Sequence, residues 1–284
     1  MQIAVLGAAG QLGTELCKQL GARALPWTRD DADLTNPDSV RAALTNLTGT
    51  CVINAAAYNK VDVAEEEPQV AYAVNALGPR LLAQECAARN ITLVHVSTDY
   101  VFGLEANRTN PFTELDAPGP VSCYGQSKLA GEYFVRSNCP RHFVVRTCGL
   151  YGLAALQGAG KGNFVETMLR LGKERDELRV VNDQHCTPTS VKDLAAAILS
   201  LIETEKYGLY HAVNAGATTW AEFASHTFDA AGMTTRVTGI PSSEYPTKAR
   251  RPGYSVLNCD KLKQTISRPM PPWQEALREY LSSR

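Results

Sequence analysis

The chain opens on a short β-rich run, residues 2–6, that leads directly into Gly7-Ala8-Ala9-Gly10-Gln11-Leu12-Gly13. No other feature limits the possible fold so tightly. Glycines at this spacing allow a tight turn, close approach of a pyrophosphate to backbone N–H groups, and close packing of helix on strand. Leu12, Leu16 and Leu20 then recur every four residues, the stripe of a helix whose N-terminus presents partial positive charge to phosphate. A glycine triad alone is often a plain turn. At the first strand–helix junction of an α/β chain it marks a dinucleotide site, with Gly7, Gly10 and Gly13 as cofactor-binding residues.

That alternation continues downstream. Residues 25–28, 50–56, 91–97 and 142–147 read as strands, the first of them weakly. Residues 70–89 read as one helix with Val70, Val74, Leu77, Leu81 and Leu82 on a single face, and residues 124–137 as another. Near-continuous apolar strands between helices predict right-handed βαβ units: an α/β fold with a doubly wound, Rossmann-type parallel sheet. Residues 1–150 are the expected dinucleotide-binding core. Residues 151–284 are expected to form mainly a smaller C-terminal substrate-binding annex, with later helices and strands returning to the core and no clean linker. There a glycine-rich loop (158–162) precedes helices at 163–172 and 191–204, the latter capped by Ser190 with Asp193 at its third position. Prolines at 241, 246, 252, 269, 271 and 272 break the remainder into turns and a terminal helix, 273–281.

Bulk properties exclude several classes of function. The net charge is -1, so nothing favours nucleic acid or an anionic membrane surface. No apolar run approaches the ~18 residues that span a bilayer, and the N-terminus reads as a strand entering a turn rather than a signal peptide. The eight cysteines form no C-x-x-C pair. They are expected as buried thiols in a reducing cytoplasm, with Cys123 notable for its place beside Tyr124. No His/Asp/Glu spacing supports a metal site. Monomer and homodimer both remain open.

The proton chemistry is carried by Tyr124-Gly125-Gln126-Ser127-Lys128. Residues i and i+4 share a helix face one turn apart. A tyrosine near pKa 10 is a poor acid–base catalyst at neutral pH, and a neighbouring ammonium is expected to lower that value. Such a tyrosine can give a proton to an alkoxide forming at a carbonyl as hydride arrives. Thr98, ending the strand at 91–97, can hold the carbonyl oxygen by hydrogen bonding. The pair alone is common by chance; the upstream glycine turn and the Ser97-Thr98 hydroxyls in the expected order make it specific. Asn54, followed by three alanines at another strand end, can pin a loop while the alanines let a cofactor lie close. After the second strand, Arg29 suits a 2′-phosphate and Asp30 a 2′-hydroxyl, leaving NADPH and NADH both open with a lean to NADPH. Asp33 can place a carboxylate by the adenine amino group.

These residues together resemble the extended short-chain dehydrogenase/reductase superfamily and, within it, the dTDP-4-dehydrorhamnose reductase family. The resemblance runs nearly end to end: GAAGQLG (7–13), DLTNP (33–37), NAAAY (54–58), VDVAEEEP (61–68), STDYVF (97–102), YGQSKLAGE (124–132), RTCGLYG (146–152), KGNFVETML (161–169), NDQHCTPT (182–189) and RPGYSVL (251–257). It implies NAD(P)H-dependent hydride transfer to C4 of a dTDP-6-deoxy-4-ketohexose, most directly dTDP-4-dehydro-L-rhamnose. It also implies site roles: Tyr124 as the acid, Lys128 on the nicotinamide ribose, and Thr98 and Asp99 on the sugar. Gly10, Gln11 and Leu12 would line the pyrophosphate, Asp33 and Leu34 the adenine, and Ala56, Ala57 and Tyr58 the middle of the cofactor. Asn75 and Arg146 read as structural or peripheral. The chain departs from the family at Gly149, a substrate-side position in a segment where relatives often carry a tryptophan. Some relatives use magnesium, which nothing in this sequence supports.

Two other functions share these features. A nucleotide-sugar epimerase or dehydratase uses the same scaffold, but the resembling dehydratases have Asp-Glu after the threonine, where this chain has Asp99-Tyr100. A non-catalytic, dinucleotide-binding regulatory subunit of methionine adenosyltransferase type is the other, and the retained Tyr124 and Lys128 argue against it.

Overall fold

In the computed structural model, residues 2–105, 107–157 and 162–284 are described. Strands β1 (Ile3–Leu6), β2 (Ala24–Trp27), β3 (Cys51–Asn54), β4 (Thr92–Thr98), β5 (His142–Thr147) and β6 (Gly208–His211) form one sheet in the order β2-β1-β3-β4-β5-β6. Every pair is parallel. The main helices are α1 (Gln11–Leu20), α2 (Pro37–Thr45), α3 (Gly78–Ala88), α4 (Cys123–Asn138), α5 (Phe164–Glu174), α6 (Val191–Ile202), α7 (Trp220–Ala230), α8 (Asp260–Ile266) and α9 (Trp273–Ser282).

The period-2 alternation of buried strands builds two cores from one sheet. Ile3, Val5, Ile53, Val94, Phe143 and Val145 face one side, under Leu12, Leu16 and Leu20 of α1 and Leu194, Ile198 and Leu201 of α6. Ala4, Leu6, Val52, Leu93 and Val144 face the other, under Val40 and Leu44 of α2, Leu82 and Cys86 of α3 and Val135 of α4. This is the doubly wound α/β arrangement that the apolar strands predict. The later elements α6 and β6 join the central layers. A separate cluster gathers α5, α7 and α9 around Val165, Phe223, Trp273 and Tyr280. Beside it, Glu177–Val181 and Arg236–Ile240 pair in parallel.

Three features differ from expectation. The expected helix over 70–89 begins earlier, at Pro68–Tyr72, and continues through a π turn at Ala73–Leu77 into α3. Pro79 explains the π turn, because its ring nitrogen cannot donate to the Asn75 carbonyl four residues earlier. Helix α2 was not expected; its signal is Asn36, whose side chain caps the Asp38 and Ser39 N–H groups, followed by Pro37 in the first turn. Strand β6 was also not expected, since Gly-Leu-Tyr-His carries too little β signal in four residues. The glycine-rich loop at 158–162 lies outside the described residues except for Gly162.

The turn between β1 and α1 is packed as its glycines require. Gly7 has φ +76°, and a Cβ on it would fall 2.8 Å from the Ala56 nitrogen. A Cβ on Gly13 would lie 2.1 Å from the Gly7 carbonyl oxygen and 2.8 Å from the Ala8 Cα. Gly13→Ala must therefore move backbone, and chemical denaturation should show stability lower by about 1–3 kcal/mol. An unchanged unfolding midpoint would mean that helix and turn are not in this contact.

Candidate active site

The carboxyl ends of β1, β3 and β4 meet on one edge of the sheet, where ligands of open α/β folds bind. At the first of these ends, Gly10 N donates to the Gly7 carbonyl at 2.9 Å, and Thr14 N makes the first helical bond to the Gly10 carbonyl. The N–H groups of Gln11, Leu12 and Gly13 precede that bond and have no intrahelical acceptor. No side chain caps α1 and its first turn holds no acid. By contrast α2, α4, α5, α6 and α7 are capped by Asn36, Ser122, Asn163, Ser190 and Thr219. An uncapped helix end behind three glycines fits a pyrophosphate. The Gln11 side chain itself turns away to bridge segments, donating to the Gly162 carbonyl at 3.1 Å and accepting from Asn163 at 3.1 Å.

At the end of β3, the Asn54 side chain accepts from the Ala56 N–H at 3.1 Å and meets His95 Nδ1 at 3.2 Å. Ala56 is partly exposed and Ala57 exposed. Tyr58 is fixed through its backbone, since Asn75 accepts from its N–H at 2.8 Å and donates to its carbonyl at 3.0 Å. Asn75 also donates to Ser127 Oγ at 3.0 Å, tying this loop to α4.

At the end of β4 the residues expected to carry the proton chemistry come together. The Thr98 hydroxyl accepts from Tyr100 N at 3.2 Å and donates to Asp99 at 3.1 Å. Gly125 lets α4 reach this turn, because a Cβ there would lie 2.2 Å from the Tyr100 carbonyl oxygen. The start of α4 is further held by Ser122, which caps Gly125 N at 3.2 Å, and by Glu65, which accepts from Cys123 N at 2.8 Å. Tyr124 thereby lies beside the Thr98 hydroxyl and packs edge-on against Tyr100, with ring centroids 5.8 Å apart.

The electrostatics correct one expectation. Tyr124 is not lowered; burial pushes it up to about 12, against the smaller downward pull of the neighbouring Thr98 hydroxyl. Lys128 is 1% exposed and donates to the Val96 carbonyl at 2.7 Å. Burial lowers Lys128 to about 8, partly offset by Glu132. In this arrangement the phenol is a neutral acid holding its proton, and the lysine is the group poised near neutrality.

Glu132, not singled out from the sequence, is the third member of this helix face at the next i+4 step. It is fully buried and accepts from Arg146 Nε at 2.9 Å and Nη2 at 2.7 Å, and from Ser97 Oγ at 2.5 Å. Arg146 also lies 5.0 Å from the Phe102 ring centroid and 3.4 Å from His211 Nε2. Burial, aided by that guanidinium, holds His211 down at about 3, so it stays neutral.

The remaining expected residues fall into two groups. Arg29 is exposed at the tip after β2 and ion-pairs with Asp33 at 3.1 Å. The other Asp33 oxygen accepts from Thr35, and Leu34 is buried against Gly78. Asp99 is 2% exposed, with one oxygen held by Thr98 and the other by Ser255 Oγ at 2.6 Å. Gly149 has φ +53°, and a Cβ on it would meet both Pro188 and the Trp220 ring at 3.1 Å. The backbone there favours glycine, and an aromatic ring reaches this corner from α7 instead. Among the described residues no group of three or more His, Cys, Asp or Glu could hold a metal ion.

A glycine-turned parallel sheet with a Tyr-x-x-x-Lys helix at its carboxyl edge defines a Rossmann-type protein of the short-chain dehydrogenase/reductase class. The family model described as RmlD substrate binding domain matches residues 1–284, and the chain belongs to that family. The dTDP-4-dehydrorhamnose reductase of Salmonella typhimurium is 38% identical over 300 residues, covering 99% of this chain and 97% of that protein. The solved dTDP-4-dehydrorhamnose reductase of Clostridium acetobutylicum superposes with a TM-score of 0.94 at 40% identity, covering 100% of this chain and 99% of that one. The Bacillus anthracis dTDP-4-dehydrorhamnose reductase, solved in complex with NADP, gives 0.94 at 38% identity and covers 100% of both chains.

Arg146→Met should lower stability by about 3–5 kcal/mol, because it leaves a buried carboxylate unpaired. Adding Glu132→Leu should recover part of that loss in denaturant unfolding. If the double variant is as unstable as the two losses summed, the pair is not coupled as the geometry indicates.

Proposed function

We propose that this protein reduces dTDP-4-dehydro-L-rhamnose to dTDP-L-rhamnose, using NADPH in preference to NADH, with Tyr124 as the proton donor. One observation carries the reading: Tyr124 beside the Thr98 hydroxyl at the carboxyl end of β4, one helical turn from the buried Lys128 on the same face of α4. The names of the relatives support the substrate, and the NADP bound to the Bacillus anthracis relative supports the cofactor.

The uncapped end of α1, with Gly7, Gly10 and Gly13, is suited to the cofactor pyrophosphate. Arg29 is suited to a 2′-phosphate, Asp33 and Leu34 to the adenine, and Ala56, Ala57 and Tyr58 to the middle of the molecule. The nicotinamide, when bound, supplies the hydride. Thr98 orients the substrate carbonyl oxygen, and as that oxygen gains charge Tyr124 Oη delivers its proton to it. The Lys128 ammonium then stabilises the tyrosinate, and near its depressed value it can return a proton. Asp99, buried behind Thr98, acts on the sugar side through that hydroxyl, the corner at Gly149 lies towards the sugar, and residues 151–284 supply most of the remaining substrate contacts. Tyr100 stands where the resembling dehydratases carry a glutamate, so the second carboxylate of their extra acid–base pair is missing from this position. The free thiols suit a reducing cytoplasm.

Both cofactors should be assayed against a panel of 4-keto nucleotide sugars, following loss of reduced-nicotinamide absorbance. The expected result is fastest turnover of dTDP-4-dehydro-L-rhamnose with NADPH. Tight NADPH binding without turnover of any panel member would favour the regulatory-subunit function. Tyr124→Phe should lower kcat by at least about 10²-fold while cofactor binding survives, whereas Lys128→Met should damage both. A near-normal rate in Tyr124→Phe would assign the proton to another group.

A further inference from the structure

The Asp99 carboxylate is the convergence point of three chain segments. Thr98 at the end of β4 donates to one oxygen at 3.1 Å. Ser255, in the segment after α7, donates to the other at 2.6 Å. The Cys148 thiol, just after β5, lies beside the same carboxylate. All four residues are buried. Ser255 is itself fixed, because its N–H donates to the His185 carbonyl at 2.8 Å.

A threonine hydroxyl has one proton and two lone pairs. Thr98 accepts from Tyr100 N, so while its proton points at Asp99 it offers any incoming group only a lone pair. To hold a substrate carbonyl it must turn that proton away from Asp99. A carboxylate already satisfied by a short, charge-assisted bond on its other oxygen competes less for it.

We propose that Ser255 is a positioning residue of this site, acting through Asp99 to set the direction of the Thr98 proton. The role of Thr98 in that statement rests on the reductase reading above; the control of Asp99 by Ser255 does not. Burial already raises Asp99 above its ordinary value, and the Ser255 bond opposes that rise. Removing the bond must raise Asp99 further. The other titratable and charged groups around it are Tyr100, Tyr124, Cys148, Cys186 and Arg251, with His185 beside Tyr254 on the neighbouring segment. Tyr100 and Tyr124, raised by burial, and Cys148, raised by the neighbouring Cys186 thiol and by burial, stay neutral in acid.

The test is an infrared titration of the protonated carboxyl band in the full-length protein, with Asp99→Asn identifying the band. Ser255→Ala should move its midpoint upward by about one to two pH units, the size expected for one lost hydrogen bond to a charged group. Ser255→Thr should restore it, and Cys148→Ala should shift it in the same direction. The same midpoint in Ser255→Ala, or no Asp99-dependent band in either protein, overturns the proposal. With dTDP-4-dehydro-L-rhamnose and NADPH, Ser255→Ala should lower kcat about tenfold at unchanged cofactor Kd, again restored by threonine. A shifted band with no turnover by the wild-type protein would overturn the reductase reading while upholding the control of Asp99.

Discussion

The buried bond between Glu132 and Arg146 fixes the register of α4 against the sheet, and the site depends on that register. Tyr124, Lys128 and Glu132 occupy one helix face at successive i+4 steps. Glu132 is locked to β5 through Arg146 and to β4 through Ser97. With that end held, Lys128 falls on the Val96 carbonyl and Tyr124 on Thr98. A buried ion pair contributes little net stability once desolvation is counted. Here its contribution is positional, since a bidentate guanidinium–carboxylate contact tolerates little sliding or rotation.

The rest of the site follows from two close backbone approaches. At the glycine turn, Gly7 and Gly13 let α1 and the end of β3 press against the loop, leaving the helix N–H groups free to face an anion. At the turn after β4, Gly125 lets α4 touch the Tyr100 carbonyl. The later part of the chain is tied down by charge: Arg251 pairs with Asp62 at 2.7 Å, linking the segment that carries Ser255 to the loop between β3 and α3.

Much of this was legible in the sequence because period and spacing are local signals. Strands buried on both faces, the i, i+4 leucines of α1 and the Tyr124–Lys128 spacing each identify an element without knowledge of its neighbours. What was illegible depended on partners far along the chain. Ser255 lies 156 residues from Asp99, and no pattern in RPGYSVL announces that contact. The expected lowering of Tyr124 failed for the same reason: burial among Thr98, Asp99 and Cys148 outweighs a lysine whose ammonium is engaged elsewhere. Helix α2 was missed although its Asn36-Pro37 start signal was present, and β6 because an edge strand of four residues takes its stability from its neighbour.

The most direct test of the account follows a deuterium atom. NADPH labelled at the transferable C4 position of the nicotinamide is incubated with dTDP-4-dehydro-L-rhamnose and the protein, and the product is examined by NMR. The account predicts deuterium at C4 of the hexose, matched to the NADPH consumed. NADPH oxidation with no label at C4, or no oxidation at saturating substrate, would contradict it.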